Sequence, residues 1–150
     1  MLKSFSKFAT RSASFILAAS LLSGFASAQV QTVAGALSVS ELSAGQTTNL
    51  TVTYQATEDA KVTGLGLRLH YDSSVLEMGD YTDRLRESAQ PFQIKDDTSD
   101  FDGDASTDKY FLTSWADTSG DGWPYDAAQP ATLYAVPLTA ISGFNGSTLK

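Results

Sequence analysis

The sequence contains no cysteine, so disulfides and thiol chemistry are excluded, and any fold must be held by a packed core or a bound ion. Histidine occurs once, at His70, which leaves multi-histidine metal triads and Cys-His dyads without their ligands and any Ser-His-Asp arrangement with a single candidate base. His70 falls on the polar side of an alternating pattern, where an exposed or hydrogen-bonded strand histidine is expected. Cations are scarce: 10 Lys and Arg stand against 17 Asp and Glu. No phosphate-cradling glycine loop is present, and apolar stretches at helical spacing are nearly missing.

The scarce cations are unevenly placed. Lys3, Lys7 and Arg11 precede an apolar run from Phe15 to Leu22, and Ala26-Ser27-Ala28 is a small-x-small cleavage pattern. This reads as a signal peptide over residues 1-28, too short in its apolar part for the roughly 20 residues a membrane span needs. Removing it leaves one domain, 29-150, with 7 cations against 17 anions and a net charge of −10. Such a chain is expected outside the cytoplasm: extracellular, at the cell surface or periplasmic. It is a poor partner for nucleic acid or anionic lipid, both of which are bound through Lys and Arg. Extracellular proteins, neutral polysaccharides and cations remain as ligands.

What the domain has in quantity is alternation at period two. Leu50, Val52 and Tyr54 alternate with threonines, and Leu65, Leu67, Leu69 and Tyr71 alternate with Gly66, Arg68 and His70. Further strands are predicted at Ala36 to Ser40, Lys109 to Ala116 and Ala131 to Thr139, with Pro137 demoting part of the last to an edge or a bulge. Asp83 to Ala89 reads as a loop with one or two helical turns. Turn residues separate the runs, for example Ser43-Ala44-Gly45-Gln46 and Ser119-Gly120-Asp121-Gly122. The expected fold class is all-β, an antiparallel β-sandwich of jelly-roll type. Ser147 to Lys150 begins what reads as one more strand and stops at once, so the sandwich is expected to lack its last strand or to continue in a longer gene product.

The stretch Tyr71-Asp72-Ser73-Ser74-Val75-Leu76-Glu77 follows a predicted strand. With Ala44-Gly45-Gln46 leading into Leu50 to Tyr54, and Ala131-Thr132-Leu133 late in the chain, it resembles the cohesin family and its carbohydrate-binding-module relatives. The resemblance implies a nine-stranded sandwich acting as a non-catalytic receptor module, in cellulosomes for dockerin domains. Asp80 to Asp108 is longer and more acidic than the connection usual in that family. Read by itself, the stretch predicts a turn in which Asp72 accepts backbone N–H groups while Val75 and Leu76 cap the core.

Two clusters carry chemistry. Between Asp96 and Asp126 there are nine aspartates and one cation, Lys109. Asp100, Asp102, Asp104 and Asp108 stand at positions one, three, five and nine of a loop, the spacing of oxygen ligands around calcium, although Gly103 and Phe111 depart from the helix-loop-helix pattern. Trp123 and Tyr125 lie among Asp117, Asp121 and Gly122, a composition that suits ring stacking on sugar faces. Three functions are therefore expected in turn: an exported binding or scaffolding module, a calcium-stiffened structural spacer, and a fragment of a secreted glycoside hydrolase.

Overall fold

The computed structural model describes residues 30–57, 60–85 and 93–145, and the predicted signal peptide and the strand start at Ser147 to Lys150 lie outside them. The described residues contain no α-helix, and no helix long and apolar enough to cross a membrane. Seven strands form in chain order: β1 Gln31–Leu37, β2 Thr47–Ala56, β3 Gly64–Tyr71, β4 Leu76–Met78, β5 Gln93–Asp96, β6 Lys109–Ala116 and β7 Ala131–Ala140. They build two antiparallel sheets, one ordered β1-β2-β7-β4 and the other β3-β6-β5. This is the expected all-β sandwich.

The alternation seen in the sequence sets the core. Leu50, Val52 and Tyr54 of β2 face inward beside Leu133, Tyr134, Val136 and Leu138 of β7, and Leu69, Phe111 and Trp115 close over them from the second sheet. Leu133 and Tyr134 are consecutive yet both buried, because the β2–β7 register shifts between Val52 and Thr53 and leaves one extra residue on β7. Aromatic rings knit the layers: Phe111 meets Tyr134 at 5.4 Å and Trp115 stacks on Tyr134 at 6.4 Å between ring centroids. Burial pushes the Tyr134 hydroxyl up to a pKa of about 12.

Three local expectations change. Pro137 lies in an interior strand, paired with Asn49 of β2, instead of at an edge or bulge. Its carbonyl accepts from Gly79 N–H, so its nitrogen also faces the β4 side, just where β4 ends and no donor is required. The first strand begins at Gln31 and ends at Leu37, earlier than Ala36 to Ser40. Asp83 to Leu85, the described part of the expected helical turns, runs along β7 instead, with Leu85 N–H donating to Leu133 O at 2.9 Å. The turn after β3 forms as expected, with Ser74 N–H and hydroxyl both donating to Asp72 Oδ1 and with Leu76 buried.

The sandwich is open along one side. Val33, Gly35 and Leu37 of β1 stand directly opposite Tyr54, Val52 and Leu50, so they share the core-facing side of their sheet. Nevertheless Val33 is 42% and Leu37 41% exposed. Among the described residues the three-stranded sheet places no strand above them, and β3 is the edge of that sheet that borders the opening.

Candidate functional site

Among the described residues, the open side and the loop that follows β5 are the features that bear most on ligand binding. On the open side a groove of about 600 Å³ runs between the sheets, with Val33 and Leu37 on one wall, Leu67 and Leu69 on the other, and Leu50 and Leu138 in its floor. Leu67, Arg68 and Leu69 are consecutive along β3, so the strand's own edge borders the groove. Arg68 is the sole charged residue in the lining. An edge of this kind presents free backbone N–H and C=O groups.

The acidic loop between β5 and β6 folds back over the outer face of β3 and β6. Leu69, His70 and Tyr71 are consequently buried in succession, although their side chains alternate between the two faces. Phe101 meets the edge of Tyr110 at 6.0 Å, and the Arg68 guanidinium lies over both rings, 4.2 Å from Phe101 and 5.3 Å from Tyr110. Under this cover is His70, with Tyr110 at 5.3 Å beside it. An exposed or hydrogen-bonded His70 is thus corrected: the loop covers the strand's polar face, and the Nδ1 atom is buried without a hydrogen bond.

Two carboxylates meet that nitrogen. Asp97 Oδ2 is 2.8 Å from His70 Nδ1 and Asp102 Oδ1 is 3.8 Å away, with the histidine side chain 6% and the Asp97 side chain 0% exposed. Both Asp97 oxygens are 3.2 Å from the Phe101 N–H. The Thr107 hydroxyl is shared between Asp102 Oδ2 at 3.0 Å and the Asp104 carbonyl at 2.9 Å. Burial pushes the Asp102 carboxyl up, but the Thr107 hydroxyl, the Asp104 N–H and His70 together hold it below the usual range.

The predicted calcium ligands are distributed differently. Asp108 turns away to Ser73, accepting its N–H and its hydroxyl at 2.7 Å each. Asp104 Oδ1 accepts from Ser106 N–H at 3.0 Å and its hydroxyl at 2.6 Å. Asp100 is exposed, in a left-handed backbone conformation with φ 49°. Among the described residues, the one set of three His or acidic side chains whose ligand atoms lie within 4.8 Å of one another is His70, Asp97 and Asp102. Of Asp100, Asp102, Asp104 and Asp108, therefore, Asp102 alone joins a convergent group. Two of the carboxylates have other partners: Asp104 closes a short Asx turn with Ser106, and Asp108 holds the distant turn at Ser73. A hydrophobic-to-polar alternation with a single histidine facing an acid-rich loop was the available signal for His70.

Trp123 is 1% exposed, packed 4.6 Å from Tyr54 and 5.9 Å from Trp115 between ring centroids. A ring this buried has no face for a sugar, so the expected Trp123–Tyr125 platform is corrected. Trp123 is drawn inward by paired backbone bonds with Val62, at 2.7 and 2.9 Å. Tyr125 is half-buried, its hydroxyl donating to the Ala116 carbonyl at 3.2 Å.

Asp117 organises the loop before Trp123. The Gly122 N–H first, then Ser119 and Gly120, hold its carboxyl below the usual range against the opposing effect of burial. A carboxyl lowered on folding stabilises fully above its unfolded value of about 3.9, and that contribution drains away as pH falls through the folded value. Urea midpoints of the wild type should therefore drop more steeply between about pH 5 and pH 2 than those of Asp117→Asn. Parallel acid limbs for the two proteins would contradict this role.

No family model matches the chain, and no curated protein matches it.

Proposed function

We propose that this chain is an exported, non-catalytic binding module that takes an extended segment of a protein partner as an added strand between β1 and β3. The observation that carries this reading is the exposure of Val33 and Leu37 on the core-facing side of β1, beside a β3 edge that no strand among the described residues pairs. An extended segment answers both needs at once. Its backbone pairs with β3, and its alternate side chains cover the apolar floor. A helix would leave the β3 edge unpaired, and a polysaccharide would meet a mostly aliphatic lining in which Tyr134 is buried and Phe144 is the one partly exposed ring. A cohesin-like receptor role is compatible with this reading, with a dockerin-like protein as one partner of that kind.

The experiment is partner capture from extracellular extract, with hydrogen exchange measured on the recovered complex. Binding should slow exchange in Gln31–Leu37 and Gly64–Tyr71, and Leu67→Lys should weaken it at least tenfold while leaving the fold intact. Slowed exchange confined to other strands, or full binding by Leu67→Lys, would overturn the proposal. The burial of Trp123 favours a second reading, a structural spacer with no ligand of its own. A spacer would show no exchange difference in β1 or β3 under any extract.

A further inference from the structure

We propose that His70, Asp97 and Asp102 form a binding site for one divalent first-row transition ion of the zinc class, held by an imidazole nitrogen and two carboxylates. An acid-rich loop would not suffice for this, since acidic side chains cluster on many surfaces without an ion. The independent observation is His70 itself. Its side chain is 6% exposed, and its Nδ1 faces two carboxylates without making a hydrogen bond.

The geometry of the nearest contact separates an ion from a simple imidazolium–carboxylate pair. Asp97 Oδ2 approaches Nδ1 to 2.8 Å, yet no hydrogen bond joins the two atoms. Neighbouring ligands of one ion do not point at each other. They point at the metal, and with bonds of about 2.0–2.1 Å at tetrahedral angles they stand roughly 3.3 Å apart. The separations from Nδ1, 2.8 Å to Asp97 and 3.8 Å to Asp102, bracket that value.

Charge leads to the same place. The Asp97 side chain is fully buried, and a buried carboxylate needs a countercharge as well as a hydrogen bond. The nearby cations are engaged elsewhere, Arg68 over the Phe101 and Tyr110 rings and Lys109 on Asp96 at 2.9 Å. A doubly charged ion would balance both carboxylates. Thr107, donating toward Asp102 Oδ2, would orient the outer oxygen of one ligand in the way such sites require.

The donor set chooses the ion. Calcium takes six to eight oxygens at about 2.3–2.6 Å, whereas this pocket supplies one nitrogen and two carboxylates within 4.8 Å. Imidazole with carboxylate suits zinc and its first-row neighbours. The ion would tie the loop carrying Asp97 and Asp102 to strand β3, which carries His70.

The test uses chelator-treated full chain. Cobalt(II) should give a visible d–d spectrum of a low-coordinate bound ion, zinc should displace it at one equivalent, and calcium should not. His70→Gln and Asp102→Asn should each weaken zinc binding at least tenfold in calorimetry, while Asp100→Asn, on the exposed part of the loop, should bind as the wild type does. The wild-type cobalt spectrum decides the matter even if His70→Gln fails to fold. A wild type that leaves cobalt in its hexa-aquo form, calcium displacing zinc, or undiminished binding by a folded His70→Gln would overturn the site. Strand capture between β1 and β3 needs no metal, so failure here leaves that proposal standing.

Discussion

Trp123→Ala is expected to lower folding stability by about 3–5 kcal/mol, the cost of deleting a large ring from a close-packed interior. Trp123 is 1% exposed, and its ring touches Tyr54 from one sheet and Trp115 from the other. Nothing can collapse into the space without moving strands of both sheets. In thermal unfolding the loss should exceed about 10 °C, and the variant could fail to fold altogether if the parent is only marginally stable. Trp115→Ala should cost a similar amount, with the added loss of the indole N–H bond to the Leu85 carbonyl at 2.9 Å. An unchanged melting temperature accompanied by lost polysaccharide retention would instead place the ring at the surface as a sugar platform.

Gly64→Ala is the second change expected to be severe. A Cβ at this position would stand 2.3 Å from the Trp115 backbone carbonyl oxygen and 3.1 Å from Ala116 Cα. Neither obstacle is the flexible end of a side chain. The backbone there has φ 156°, which side-chain-bearing residues rarely adopt, so the start of β3 would have to separate from β6. We expect a loss of about 2–4 kcal/mol, a strained conformation plus broken pairing at one strand end. Gly66→Ala supplies the control two residues along the same strand, since no atom lies within 4 Å of the Cβ it would add. Urea unfolding of the two variants should therefore diverge sharply, and equal midpoints would contradict the close approach of β3 to β6.

The sheets were legible because burial on one face writes itself into alternation. Leu65 to Tyr71 predicts β3 almost to the residue, and Leu50, Val52 and Tyr54 mark the middle of β2, which extends further at both ends. The Asp72 turn was equally legible, being a local matter of its carboxylate accepting from the Ser74 amide and its carbonyl from those of Val75 and Leu76. β4, Leu76–Met78, and β5, Gln93–Asp96, were not, since three or four residues cannot establish a period. Pro137 misled because sequence does not say which side of a strand a missing N–H will face.

The candidate sites were less legible, and for a different reason. The spacing of Asp100, Asp102, Asp104 and Asp108 suggests shared coordination, but Ser73 and Ser106 capture two of those carboxylates at distances sequence cannot foresee. His70 and Asp97 are brought together by the fold of a loop across a sheet, a contact between residues far apart in the chain. The open groove is a property of two sheets of unequal width. No single strand's pattern reveals it.

Backbone amide hydrogen exchange on the isolated chain tests the central claim most directly, because an open sandwich and a closed one differ first at their edges. The account predicts strong protection in Thr47–Ala56 and Ala131–Ala140, which are flanked on both sides, and weak protection in Gln31–Leu37 and in the outward amides of Gly64–Tyr71. Protection of β1 and the outer edge of β3 equal to that of β7 would mean that the groove is already filled, and would contradict a slot awaiting a partner strand.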